Sequence, residues 1–171
     1  MDKKSLETVL NNKLVPNGFK KKASAWYRQV NGMLQVVDLQ KSAYGLQFFL
    51  NLCCVPAGME VEGMPTPKEH KCPIRIRLTA AYPEQRTQIE ESLDLERTGL
   101  ADSMRQAALG GILEELVLPF CNNFTSVEVL RDAIQRGLFK RGAINGAAQG
   151  HLNLNEPTVA TLDSPSSTPR G

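Results

Sequence analysis

The sequence contains no uninterrupted apolar stretch long enough to span a bilayer, which takes about 20 residues. Its first ten residues, MDKKSLETVL, are charged and then amphipathic, and they lack the apolar core of a secretory signal peptide. Both absences argue against a membrane protein or an exported one. We therefore expect a soluble, cytoplasmic protein with no membrane partner.

Histidine and cysteine are scarce, with 2 and 4 copies among 171 residues. His70 and Cys72 could supply two metal ligands, but no second pair with zinc-type spacing accompanies them. Cys53 and Cys54 are adjacent, and neighbouring strand residues point to opposite faces, so they are poor disulfide partners. We expect reduced, mostly buried thiols, no metal site and no cofactor.

A strong charge of one sign is also missing, because the formal net charge is only +2. Domains that bind nucleic acid usually carry a concentrated basic surface. Nucleic acid is therefore not an expected partner. One short basic run, Lys20–Lys22, is interpreted as a solvated entry to a strand, with an anion-binding patch as the alternative.

No catalytic motif is recognisable in the chain. The sequence lacks a nucleophile elbow, a glycine-rich phosphate loop and an HExxH pattern. A Ser–His or Cys–His pair stays open, because such partners need not be close in sequence. The sequence thus favours a protein without catalytic activity but does not decide the question.

The periodicity of the chain predicts a helix, then strands, then helices. Leu6, Leu10 and Leu14 recur at helical spacing, and Pro16 ends that helix. Helical spacing returns after Pro83, with one helix closed by Pro119. Segregated strands and helices indicate an α+β fold: an antiparallel sheet of about four strands after an N-terminal helix, with the C-terminal helices packed on one face. The four strand-like runs are SAWYRQV, MLQVVDLQ, LQFFLNLCCV and CPIRIRLTA.

The domain boundary is predicted near Arg141. Residues 1–141 carry the periodic segments and form one domain of ordinary length. Residues 142–171 show little periodicity and end in Ser, Thr and Pro. Such a composition buries too little apolar surface to offset the entropy of ordering, which predicts a disordered tail.

The first hairpin is predicted from Asn31–Gly32, a dipeptide that tolerates the positive φ angles of a type I′ turn. A two-residue turn there pairs Arg28 with Gln35. It also pairs Trp26 with Val37, which puts these four residues on the same face of the sheet.

The second hairpin is predicted around KSAYG, residues 41–45. If Gln40 lies opposite Leu46, then Val36 lies opposite Leu50. A register error of one residue would exchange the two faces of the strand. The face packed on the helices is then predicted to carry Leu34, Val36, Phe48, Leu50 and Leu52.

The other face would combine aromatic rings, arginines and amides, with Lys41 and Tyr44 at its rim. The aromatic rings provide a large contact area, and the arginines and amides provide directional hydrogen-bond donors. This combination is suited to the recognition of another protein. The alternative is that Trp26 and Phe49 belong to the core, where large aromatic side chains are mostly found. The predicted binding residues are Trp26, Arg28, Lys41, Tyr44, Gln47, Asn51, Arg75 and Arg77.

Several segments resemble a bacterial family of small domains of unknown function. The resemblance extends over residues 6–78, is looser over the helical half, and implies an α+β domain without an established reaction. The segments that carry it are NGFKKK (17–22), WYR (26–28), VVDLQKSAYG (36–45), FFLNL (48–52) and CPIRIRL (72–78).

Two hypotheses for function follow. The first is a protein-binding module of the immunity or antitoxin kind, which covers a site on another protein. The second is a hydrolase or nucleic-acid-processing domain with a cleft built from Lys41, Asn51, Arg75 and Arg77. A further possibility is a small ligand under the loop at residues 56–67. The sequence leaves the partner and the oligomeric state open.

Overall fold

An N-terminal helix opens the fold, as predicted. The computed structural model describes residues 1–97 and 99–154. Helix α1 spans Lys3–Leu14, and Asp2 caps it by accepting a hydrogen bond of 2.8 Å from the amide of Ser5. The leucines at helical spacing, Leu6, Leu10 and Leu14, form its buried stripe. A 3₁₀ turn at Val15–Asn17 leads into the sheet.

Six strands form one antiparallel sheet within the described residues, in the order β1-β2-β3-β4-β5-β6. The antiparallel prediction is confirmed, but the number of strands is larger than predicted. Both additional strands lie at the edges of the sheet, and they are only three and two residues long. The strands are β1 (Lys20–Lys22), β2 (Ala25–Val30), β3 (Met33–Lys41), β4 (Phe48–Val55), β5 (Ile74–Arg77) and β6 (Ala143–Ile144).

The hairpin between β2 and β3 has the predicted register. Trp26 pairs with Val37, and Arg28 pairs with Gln35. Asn31 and Gly32 adopt the positive φ angles of 49° and 77° that the turn requires.

The predicted register between β3 and β4 is wrong by three residues, because Gln40 lies opposite Phe49 rather than Leu46. Leu46 bonds instead to a distant segment: its carbonyl accepts from the Leu95 amide at 3.1 Å. Its own amide donates to the carboxylate of Glu96, also at 3.1 Å. The connection from Ser42 to Gln47 is therefore longer than the sequence suggests.

An odd shift exchanges the two faces of β4 relative to β3. Phe48, Leu50 and Leu52 do face the helices, as predicted. Leu34 and Val36 do not, because they lie on the opposite face in a second, smaller core.

The helices that follow β5 pack on one face of the sheet. No helix of the described residues is long and apolar enough to cross a membrane. A π-helical turn at Leu113–Val117 joins α4 to α5, so the helix continues past Pro119 and the predicted end is wrong. Pro119 is the second residue of α5, and the π-helical turn directly before it already interrupts the regular α-helical hydrogen bonds, so its missing N–H costs little. The helices are α2 (Leu78–Ala81), α3 (Arg86–Leu93), α4 (Asp102–Ile112), α5 (Leu118–Asn123) and α6 (Val127–Gln135).

Residues 142–154 differ from the predicted disordered tail. They form β6 and a short helix, α7, at Gly146–His151. The Asn145 amide donates to the carbonyl of Pro73 at 2.9 Å, and Leu152 is fully buried in the main core. These contacts offset the entropy lost when the segment becomes ordered, and the composition of the segment alone does not reveal them. The remainder of the predicted tail, residues 155–171, lies outside the described residues.

Candidate functional site

The face of the sheet that points away from the helices is covered only in part. The covering segment, residues 56–73, crosses it between β4 and β5. Met59 and Val61 from this segment pack on the smaller core, while Gln40 and Arg77, at the far ends of β3 and β5, are exposed. The smaller core consists of Ala25, Leu34, Val36, Cys53, Val55 and Cys72.

Polar side chains meet on the uncovered half of this face. Pairing of Asn51 with Asp38 on one side and Arg77 on the other places the three residues in one row across the sheet. Gln40, two residues along β3 from Asp38, shares their face. Gln40, Asn51 and Arg77 border a groove of about 380 Å³, which we call the arginine groove. Its lining residues are Gln40, Asn51, Glu69, Arg75, Ile76, Arg77, Arg141, Gly142 and Ala143, of which Ile76 directs its side chain into the core on the opposite face.

Arg77 is held in place from two sides. Its guanidinium carbon lies 4.0 Å from the centre of the Phe49 ring, in cation–π contact. One guanidinium nitrogen donates to the side-chain oxygen of Gln40 at 3.4 Å. The same oxygen accepts from the Asn51 amide at 3.0 Å, so Asn51 fixes the acceptor that orients the arginine. Because the guanidinium is thus restrained before any ligand arrives, binding would cost less side-chain entropy.

The charges of the groove are not balanced within it. Arg75 pairs with Glu69 at 3.3 Å. Within residues 1–97 and 99–154, neither Arg77 nor Arg141 forms an ion pair with a carboxylate. Two guanidinium groups therefore face the same groove without a counter-charge from the described part of the chain.

Gly142 brings Arg141 to the groove. A Cβ atom at this position would lie 2.5 Å from the carbonyl oxygen of Arg75, which is closer than real Cβ contacts allow. The absence of a side chain lets the chain approach β5 and form the two-residue strand β6, where Ala143 pairs with Arg75. Arg141 directly precedes this approach and is thereby placed at the rim.

Asp38 is the acid next to the groove. Burial raises the pKa of its carboxyl above the ordinary value of 3.8, and a hydrogen bond from the Asn51 amide at 3.4 Å opposes that rise. The charge of Glu69 adds to the rise. The Asp38 carboxyl therefore holds a proton to higher pH than a solvated aspartate does.

Trp26 and Arg28 do not lie on the open face, and the prediction that placed them there is wrong. Trp26 has 0% exposure, and its indole nitrogen donates to the Asn11 side chain at 2.7 Å. Arg28 lies over Phe19 at 4.7 Å and donates to Gln35 at 2.9 Å, both on the helix-covered side. The alternative, that Trp26 belongs to the core, is correct. The inner face of β2 and β3 was assigned through the predicted β3–β4 register, and an error of three residues in that register exchanges the two faces.

The remaining predicted residues divide into two groups. Asn51, Arg75 and Arg77 line the arginine groove. Lys41 and Tyr44 are exposed at the connection between β3 and β4, where Tyr44 is 98% exposed. Gln47 forms an isolated bridge with Asp94 beside that connection. Their part in binding stays a prediction.

Sequence reasoning missed Gln40, Phe49 as a support for Arg77, and Arg141. The alternation of β3 places Gln40 on the face of Asp38, but only the correct register brings it next to Asn51. Arg141 carried no signal, because it stands at the end of the periodic segments and reaches the groove through a two-residue strand.

Thiols and imidazoles contribute little to this site. All four cysteines are free and buried, and burial raises the pKa of Cys121 to about 12. The Nε2–H group of His151 donates a 2.9 Å hydrogen bond to the carbonyl of Ala57, which connects α7 to the covering segment. Among residues 1–97 and 99–154, no three or more His, Cys, Asp or Glu side chains cluster as metal ligands would.

The family model described as a domain of unknown function, DUF4304, matches residues 10–122. The chain belongs to this family. The DUF4304 match runs from the middle of α1 to the end of α5, so it includes Gln40, Asn51, Arg75 and Arg77 of the groove. Arg141 and the elements α6, β6 and α7 lie beyond it. Neither the curated proteins nor the solved structures contain a match to the chain.

Proposed function

We propose that this DUF4304 protein is a protein-binding module of the immunity or antitoxin kind. Its arginine groove binds a carboxylate-bearing surface of another protein. The single observation that carries this proposal is the pair of guanidinium groups, Arg77 and Arg141, that face one groove without a carboxylate partner among the described residues.

The chemistry of arginine favours a carboxylate as the group recognised. A guanidinium group is planar, permanently charged and able to donate two parallel hydrogen bonds to one carboxylate. Arg77 is preoriented by Phe49 and Gln40, which restricts its rotamers before binding. Such a restrained arginine is the kind of residue that contributes most to protein interfaces.

The surroundings of the groove favour a protein over a small apolar molecule. Pockets for small molecules are lined mainly by apolar and aromatic side chains. Here Ile76 is the only large apolar residue in the lining, and its side chain is buried in the core on the other face of the sheet. Tyr44, which is 98% exposed, lies in the connection that follows Gln40 along the chain and offers an aromatic side chain to a partner. Arginine and tyrosine side chains are both enriched at the centres of protein interfaces.

The test is affinity capture from the host lysate on three baits: the wild type, R77Q/R141Q, and the control R86Q/R136Q. The control removes the same charge from exposed arginines on α3 and at the end of α6, each paired only with a carboxylate four residues away on its own helix. We expect one protein that is retained by the wild type and the control and lost from R77Q/R141Q. Equal retention on all three baits, or no specific retention at all, would contradict the proposal.

A second candidate is the hydrolase or nucleic-acid-processing function. It is favoured by one observation, the meeting of Asn51, Arg75 and Arg77 in a groove. Lys41, its fourth residue, is the strand neighbour of Gln40 and therefore points to the opposite face. Incubation with labelled single- and double-stranded oligonucleotides separates the two candidates. Cleavage or tight binding that R77Q abolishes and R86Q leaves unchanged would favour this second function.

A further inference from the structure

A second groove lies between β1 and the covering segment. Its volume is about 540 Å³, within the range of small-molecule sites. We call it the lysine pocket. It shares no lining residue with the arginine groove. The side chains that shape it are Lys20, Lys22, Tyr27, Gln29, Leu34 and Thr66.

Strand register places two ammonium groups at this pocket. Lys20 pairs with Tyr27 and Lys22 pairs with Ala25, so both lysine side chains share the face that carries the Tyr27 ring. Lys21 points the other way, where its ammonium group bonds to Glu7 of α1 at 2.6 Å. The run of three lysines is therefore divided by the pleat, with two on the pocket side.

The covering segment forms the opposite wall and is bonded to the sheet. The Tyr27 hydroxyl donates to the carbonyl of Pro67 at 3.0 Å. The Lys22 ammonium donates to the Thr66 hydroxyl at 2.8 Å. Leu34, which is 4% exposed and pairs with Gln29, is part of the lining. The pocket thus has an apolar base with a flat tyrosine ring, and a rim fixed by hydrogen bonds.

The lining contains no carboxylate to balance these ammonium groups. Lysines on an edge strand also discourage pairing with other sheets, but that role requires no adjoining cavity. We infer that the lysine pocket binds a small organic anion that has a flat apolar body and one carboxylate or phosphate group. The body packs on Tyr27 and Leu34, and the anionic group lies against Lys20 and Lys22. This inference does not depend on the proposed function of the arginine groove.

Two fluorescent probes of nearly equal apolar shape test the need for an anion. One is 8-anilinonaphthalene-1-sulfonate, and the other is the neutral N-phenyl-1-naphthylamine. We expect the native, full-length protein to bind the sulfonate at least fivefold more tightly than the neutral probe. Equal affinity for both probes would overturn the inference.

Three variants test the location. K20Q/K22Q removes the charges of the rim, and we expect about fivefold or greater loss of sulfonate affinity, on the scale of two partly exposed ion pairs. Q29W changes an exposed lining residue and fills the pocket, so it should also weaken binding. K4Q/K140Q, a control at two exposed lysines outside the pocket, should bind as the wild type does. Urea midpoints equal to that of the wild type show that each variant is folded. Unchanged affinity in K20Q/K22Q and Q29W would overturn the inference.

Competition then identifies the anionic group. Displacement of the bound sulfonate probe by benzoate indicates a carboxylate ligand, and displacement by adenosine monophosphate indicates a phosphate ligand. Displacement by neither, at concentrations up to the millimolar range, contradicts the inference.

Discussion

Arg77 lies on the ring of Phe49, with its guanidinium carbon 4.0 Å from the ring centre. The two residues come from neighbouring antiparallel strands, and Phe49 is two residues along β4 from Asn51, the direct partner of Arg77. The ring supports the guanidinium from below and leaves its edge free to donate hydrogen bonds. This contact orients a cation on the uncovered half of the sheet that has no carboxylate partner among the described residues.

Phe49 is therefore expected to act as a positioning residue for Arg77. We expect F49L to weaken binding of the captured partner about threefold, because a cation–π contact at a partly exposed site contributes roughly 0.5–1 kcal/mol. F49Y keeps the ring face and should restore wild-type affinity. Isothermal titration of the partner into each variant measures this. Equal affinities for F49L and the wild type would exclude the positioning role.

Arg105 is expected to stabilise the connection between β3 and β4 from a distance. It is 2% exposed, and its guanidinium donates to the carbonyls of Glu91, Asp94 and Arg97. These carbonyls belong to the end of α3 and to the segment that bonds Leu46. We expect R105M to lower the free energy of unfolding by about 3 kcal/mol, because three carbonyls lose the donor that joins them.

Urea unfolding measures that loss, and hydrogen exchange locates it. The amide of Leu46 should exchange faster in R105M, since its acceptor Glu96 is no longer held. R97Q, at an exposed arginine that pairs with Glu91, serves as the control and should change the stability little. A stable R105M with unchanged exchange at Leu46 would contradict this assignment.

Two neighbouring asparagines of α1 should differ in their contribution to stability. The Asn11 side chain accepts a 2.7 Å hydrogen bond from the buried indole of Trp26, while Asn12 is exposed. We expect N11A to lower the free energy of unfolding by about 1–3 kcal/mol, because the indole N–H loses its acceptor. N12A should lie within about 0.5 kcal/mol of the wild type. Urea denaturation compares them, and equal losses would show that the bond contributes nothing specific.

Asp38 should make stability depend on pH in a defined direction. Burial raises the pKa of its carboxyl in the folded protein above the 3.8 of the unfolded chain. The folded state therefore binds more protons between these two values, and Asp38 makes folding less favourable as pH rises through that window. D38N removes the titrating group and keeps an oxygen that can accept from Asn51.

The difference in Tm between D38N and the wild type measures this dependence. We expect the Tm of D38N to increase relative to the Tm of the wild type as pH rises from about 3 to about 7, and the difference then to stay constant. Carboxyls with lowered pKa, such as Asp2 and Glu7, act in the opposite direction in both proteins and cancel in the difference. A difference in Tm that does not change with pH, or a Tm of D38N that falls relative to the wild type as pH rises, would contradict the raised pKa of Asp38.

The two hairpins show why one register could be predicted and the other could not. Asn31–Gly32 determines its own turn through locally allowed φ angles, so the β2–β3 pairing follows from adjacent residues. The connection from Ser42 to Gln47 depends on Leu95 and Glu96, about fifty residues away, and no local pattern reveals that contact. The family resemblance of KSAYG marks this connection but does not specify its length.

The candidate site was predictable to the extent that it rests on strand alternation. Arg75 and Arg77 share a face because β5 alternates, and Asn51 joins them through pairing with Arg77. Arg141 required the contact of Gly142 with β5, which has no periodic signature. Trp26 was assigned to the wrong face of the sheet because the predicted β3–β4 register was wrong by three residues.

The most direct test of the account is the dissociation constant of the captured partner for the wild type, R77Q and R86Q at several salt concentrations. We expect R77Q to weaken binding about tenfold or more and to reduce its salt dependence, since a restrained guanidinium that pairs with a carboxylate contributes strongly when desolvated. R86Q should match the wild type at every salt concentration. Equal affinity and equal salt dependence for R77Q and the wild type would contradict binding through the arginine groove.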